Sequence, residues 1–127
     1  MSRRSVETDR APAAIGPYVQ GVVAGDWLFT SMQIGLDPSS GELVGVTPEV
    51  QVKRCLQNIQ AITETAGGTL GQIVKTTVYL KDLAAFGAVN EVYAEFFGSE
   101  LPARGVLEVS GLPKGALVAV EAIARIA

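Results

Sequence analysis

Two stretches of this chain have the spacing of helices with one apolar face, and the segments around them have the spacing of strands. Thr47-Pro48-Glu49 opens the first helix with a capping hydroxyl, a proline at the first helical position and an acid in the first turn. Val52, Cys55, Leu56, Ile59, Ile62 and Ala66 then fall on one face. Gln51, Lys53, Arg54, Gln57, Asn58 and Glu64 lie largely elsewhere, and Gly67-Gly68 ends the run. In the second helix, capped by Asp82 and stopped by Gly98, one face carries Leu83, Phe86, Val89, Tyr93 and Phe97. A helix with one apolar stripe must bury it against another layer, so both helices belong on the same side of a sheet.

The strands of that sheet follow from alternation and from turn chemistry. Short apolar runs at 20–24 and 27–33 flank Gly25-Asp26 as a hairpin, and Leu43-Val44 is a short third strand after the turn at 37–41. Residues up to Gly16 read as an extended leading segment, with Pro12 and Pro17 excluding regular helix. Ile73–Leu80 is a strand with Val74, Thr76, Val78 and Leu80 on one side, and 104–109 and 117–126 are strands separated by the turn Leu112-Pro113-Lys114-Gly115. The order is β-β-(β)-α-β-α-β-β, a single α+β domain over residues 1–127. Val118, Val120, Ala122, Ala124 and Ile126 make one face of the last strand strongly apolar. No third helix remains to cover the second face of the sheet, and a bare apolar face predicts self-association.

Absences narrow the chemistry. The chain has no histidine, which removes Ser-His-Asp and Cys-His nucleophiles, histidine proton shuttles and nearly all zinc patterns. Its net charge of −3 supplies no basic field for a phosphate backbone, so nucleic acid is disfavoured as a partner. No apolar run approaches the roughly 18 residues that span a bilayer, and no membrane partner is expected. The N-terminal residues lack the apolar core of a secretory signal. A single cysteine, Cys55, forms no intrachain disulfide and fits a reducing cytoplasm.

The remaining candidates each carry two readings. Arg104, at the start of a strand beside Gly105 and Val106, is either a structural surface arginine or a clamp that grips a planar carboxylate with two parallel hydrogen bonds. Tyr18 follows the rigid Gly16-Pro17 turn, either as a packed half-buried ring or as a pocket wall. Asn90 lies beside the apolar stripe of the second helix, where a poor helix former has room for a specific hydrogen bond. Cys55 reads as a buried, inert thiol. Glu121 stands in an otherwise apolar strand and needs a partner. Lys114 reads as a solvated turn residue.

Taken together, several segments resemble the RidA family of enamine/imine deaminases, also called the YjgF family. They are residues 11–20 (APAAIGPYVQ), 74–83 (VKTTVYLKDL), 89–93 (VNEVY), Pro102-Ala103-Arg104, Leu112-Pro113-Lys114 and Glu121-Ala122-Ile123-Ala124, nearly end to end and in the family's order. The resemblance implies a chorismate-mutase-like mixed sheet with two helices on one face, built into a homotrimer with clefts between subunits. It implies hydrolysis of short-lived enamines and imines, such as 2-aminoacrylate and 2-iminobutanoate, to 2-oxo acids and ammonia, without metal or organic cofactor. Arg104 would hold the substrate carboxylate, with Tyr18 and Asn90 lining the cleft. An iminium carbon is already electrophilic, so the protein supplies mostly proximity and orientation.

The resemblance also exposes departures. Deaminating members carry a glutamate that positions water where this chain has Ala119. Glu121, two residues along, is displaced by about 6.6 Å and is no simple replacement. Met32 replaces a glycine and reshapes the cleft, and Gly105-Val106 replaces a Ser-Cys pair. The Val106 carbonyl still has the chemistry to orient water. The expected function is therefore an imine deaminase of altered strength or substrate, set against a non-catalytic trimer that binds small carboxylates. The ribonuclease activity for which some relatives were named is the least expected.

Overall fold

The computed structural model describes residues 2–127. Seven strands form one sheet: β1 (Arg3–Val6), β2 (Gly21–Ala24), β3 (Trp27–Thr30), β4 (Gln33–Ile34), β5 (Ile73–Leu80), β6 (Ala103–Glu108) and β7 (Val118–Arg125). Two helices, α1 (Pro48–Thr65) and α2 (Phe86–Phe97), complete the fold. The strand order is β1-β2-β3-β7-β5-β6, with β4 also on β7. Only β5 and β6 run parallel; the other pairs are antiparallel. The mixed sheet with two helices is thus as expected.

The helix α1 begins as its sequence dictates, with Thr47 accepting from the Val50 N–H and Pro48 at the first position. Its stripe of Val52, Cys55, Leu56, Ile59 and Ile62 is fully buried beneath Val118, Val120, Ala122 and Ala124 of β7. The apolar face of β7 is therefore the covered one. The helix-free face carries Ala119, Glu121 and Ile123 of β7, with Trp27, Phe29 and Leu107 left 41%, 46% and 43% exposed on neighbouring strands.

The leading segment is extended as expected, and Arg3–Val6 within it pair with β2 as an edge strand. Four other sequence expectations need correction. The 27–33 strand is broken at Ser31-Met32: Phe29 faces Ile123 but Gln33 faces Val120, so residues 30–32 oppose only 121–122. That extra residue is a β-bulge, and the Thr30 hydroxyl accepts from the Ala122 N–H that lost its ladder partner. Leu43-Val44 is a single bridge from Leu43 to Leu36 rather than a strand. In β5 a second bulge turns Val74 outward (44% exposed) and puts Ile73 in the core in its place. The second helix also starts later than Asp82, which caps a one-turn helix at 83–85 that leaves Leu83 exposed.

Candidate active site

Arg104 lies on β6 opposite Thr76 of β5, on the side of the sheet that faces α2. Its guanidinium stacks 4.8 Å from the centroid of Tyr93 and 5.5 Å from that of Phe86, and one arm donates to Asn90 Oδ1 at 2.7 Å. Tyr93 is itself pinned by a 2.6 Å hydrogen bond between its hydroxyl and the Thr76 hydroxyl. Burial pushes the Tyr93 phenol above its ordinary range, against the opposing pull of Thr76 and Arg104. Among the described residues no carboxylate pairs with Arg104. Asn90, Tyr93, Ala94, Leu101, Pro102 and Arg104 bound an open hollow of about 380 Å³. The planar cation is thus oriented by rings and an amide, with the rest of its donors uncommitted.

Gly105 and Val106 follow Arg104 along β6, which is an edge of the sheet. The Val109 N–H donates to the Leu80 carbonyl at 2.8 Å. Backbone polar groups alternate in direction along a strand, so the odd residues of β6 bond β5. The N–H and C=O of Arg104 and Val106 turn to the open edge. Gly105 faces the helix-free side, and a Cβ there would meet nothing.

Tyr18 and Met32 lie elsewhere, in a second hollow of about 370 Å³ whose walls include Pro12, Ile15, Ile34 and Pro113. The Ser31-Met32 bulge brings Met32 to this rim, 38% exposed, with Tyr18 46% exposed. The Ser31 hydroxyl is spent on the Val19 carbonyl, so the lining is mainly apolar.

The side chain that holds this wall in place is Gln20, which sequence reasoning passed over. Its buried amide donates to the carbonyls of Thr8, Ala11 and Pro12 and accepts from the Thr8 N–H. Two more buried amides act on the far side. Gln51 donates to Gly45 O and accepts from Leu117 N–H; Asn58 donates to Leu36 O and accepts from Arg54 Nε. Both were expected off the apolar face, yet both are buried. Gly35 lets β4 approach α1 closely, since a Cβ would stand 2.7 Å from the Gln51 carbonyl oxygen.

Ala119 is fully buried on the helix-free side, packed with Ile34, Leu36 and Ala116. Its methyl backs the wall of the second hollow and does not line it, so a direct substrate contact is not what this chain alone displays. Its register partner is Tyr79, whose hydroxyl donates to Glu121 Oε1 at 2.5 Å. That contact, then burial and the carboxylate charge, push the Tyr79 phenol up to about 12. Glu121 thereby finds its partner. Burial pushes the Cys55 thiol far up, in keeping with an inert core residue.

One chain therefore joins Arg104 with Asn90, and Tyr18 with Met32, but each pair lines a different hollow. Comparison with known proteins adds a family. The family model described as endoribonuclease L-PSP matches residues 8–126. A RutC family protein of Pyrococcus abyssi is 48% identical over 98% of this chain and 98% of its own length. The 2-iminobutanoate/2-iminopropanoate deaminase of Mus musculus is 46% identical over 96% of this chain and 90% of its own. The crystal structure of the YjgF gene product of E. coli superposes with a TM-score of 0.92, at 46% identity, covering 96% of this chain and 98% of that one.

Proposed function

This chain belongs to the endoribonuclease L-PSP family, the RidA/YjgF group, and from that membership we propose that it hydrolyses 2-enamines and 2-imines to 2-oxo acids and ammonia. The observation that carries the reading is Arg104: a permanently charged fork, stacked on two rings, tied on one arm to Asn90 and free on the rest, in an open hollow. That is a carboxylate clamp set before its ligand arrives. The deaminase names borne by relatives at about this identity support the reaction class.

The working unit is a homotrimer in which the Arg104 hollow of one subunit meets the Tyr18–Met32 hollow of the next. Two features support it: the exposed Trp27, Phe29 and Leu107 on the helix-free face, and the division of the candidate residues between two hollows. The ligand is a small carboxylate bound without cofactor. Arg104 fixes the carboxylate, the open-edge carbonyl of Val106 accepts from a water, and Met32 with its neighbours packs the apolar end. The protein acts in the cytoplasm; among its described helices none is long and apolar enough to cross a membrane.

The test couples the purified protein to a serine or threonine dehydratase and follows 2-oxo acid formation. Faster release is expected, with Arg104→Ala reducing kcat/KM by about 100-fold through loss of charge-assisted hydrogen bonds. No acceleration by the parent would overturn the reading. The absence of an acid at Ala119 favours a second reading, a carboxylate-binding trimer without turnover. Under it 2-oxo acids raise Tm through Arg104 and no product appears.

A further inference from the structure

The proposed hydrolysis needs a group that orients water and takes its proton, and position 119 offers only a buried methyl. Chain-wide, no histidine is available. Glu121 is two residues along β7, about 6.6 Å away. Tyr79 closes that gap. It stands directly across from Ala119 in the β5–β7 ladder, while Thr77 is the residue across from Glu121. The phenol leans diagonally along the helix-free face to place its hydroxyl on Glu121 Oε1, a span that aromatic side chains cover. Tyr79 also packs against the cluster of Ile34, Leu36, Ala116 and Ala119, whose Ile34 and Leu36 wall the Met32 hollow, so the tyrosine stands behind that wall. In the isolated chain both members of the pair are partly exposed.

The direction of the hydrogen bond decides what the pair can do. Because the phenol donates to the carboxylate, its oxygen keeps lone pairs free to accept from a water. We propose that Tyr79, backed by Glu121, orients and deprotonates the attacking water, in place of an acid at position 119.

The inference rests on the deaminase reading and specifies one step of it. Water oxygen bonds to the iminium carbon and the C=N π pair moves to nitrogen. As this happens a water proton passes to the Tyr79 oxygen and the phenol proton passes to Glu121. The proton then returns through Tyr79 to the amino nitrogen of the carbinolamine. The C–N bond breaks with its pair on departing ammonia, the C=O bond forms, and the hydroxyl proton passes through the same relay to that ammonia, leaving Glu121 ionised again. One iminium and one water give one 2-oxo acid and one ammonium ion.

Tyr79→Phe removes the relay oxygen and little volume, and Glu121→Gln keeps an acceptor for the phenol but takes no proton. Each is expected to lower kcat about 100-fold, while the 2-oxo acid Kd stays at the parental value. Adding Ala119→Glu to Tyr79→Phe is expected to restore turnover, which a purely structural tyrosine would not permit. Parental kcat in Tyr79→Phe overturns the relay and leaves the deaminase reading standing. A parent that accelerates nothing overturns both, and a rate loss matched by an equal loss of 2-oxo acid affinity overturns the relay alone.

Discussion

At the scale of single residues, polar side chains sort by whether the backbone needs them. Gln20 satisfies four backbone groups of residues 8–12, so Gln20→Ala should destabilise the fold by about 1–3 kcal/mol. Urea unfolding measures the loss, and faster amide exchange at 8–12 should accompany it. Tyr79 carries a pH signature. Its folded pKa stands near 12, above its unfolded value, so its contribution to stability is complete below about pH 10 and is lost as pH rises through 12. Glu121→Gln should bring the Tyr79 titration back toward the ordinary tyrosine range, as read from the ring-carbon chemical shift. Arg104 was legible because Pro102-Ala103-Arg104 resembles the RidA pattern. Gln20 and Tyr79 were not, because an amide that serves the backbone and a tyrosine that crosses a ladder leave no periodic trace. Gln51 and Asn58 did leave one: seven residues apart, they share a face beside the apolar stripe.

At the scale of elements, the helices were readable because an apolar stripe repeats over several turns, whereas each bulge is one extra residue and repeats nothing. The two bulges are nevertheless what bring Met32 to its rim and turn Val74 away from the core. At Gly35 the chain beside β4 passes close to the α1 backbone. Gly35→Ala would set a methyl against the α1 backbone, and a loss of about 1–3 kcal/mol is expected, measurable as a lower denaturation midpoint. Thr47→Ala, at the start of the same helix, should cost about 1 kcal/mol by removing the cap.

At the scale of the whole molecule, the two hollows explain why site residues that the sequence put in one group do not meet in one chain. Element order predicted an uncovered sheet face, and the structure identifies it as the one bearing Trp27, Phe29 and Leu107. Phe29→Glu should leave the far-ultraviolet circular dichroism unchanged while shifting the light-scattering mass from three chains to one. Complementation probes the proposed sharing of the site between subunits. Arg104→Ala and Met32→Trp chains, each strongly impaired alone, should regain activity in part when unfolded and refolded together, because some mixed interfaces join two intact halves. A site divided between subunits, as proposed, also makes output depend on abundance. Below the concentration at which copies associate, turnover per chain should fall steeply, so that dilution alone silences the protein and the amount synthesised sets how much each molecule accomplishes.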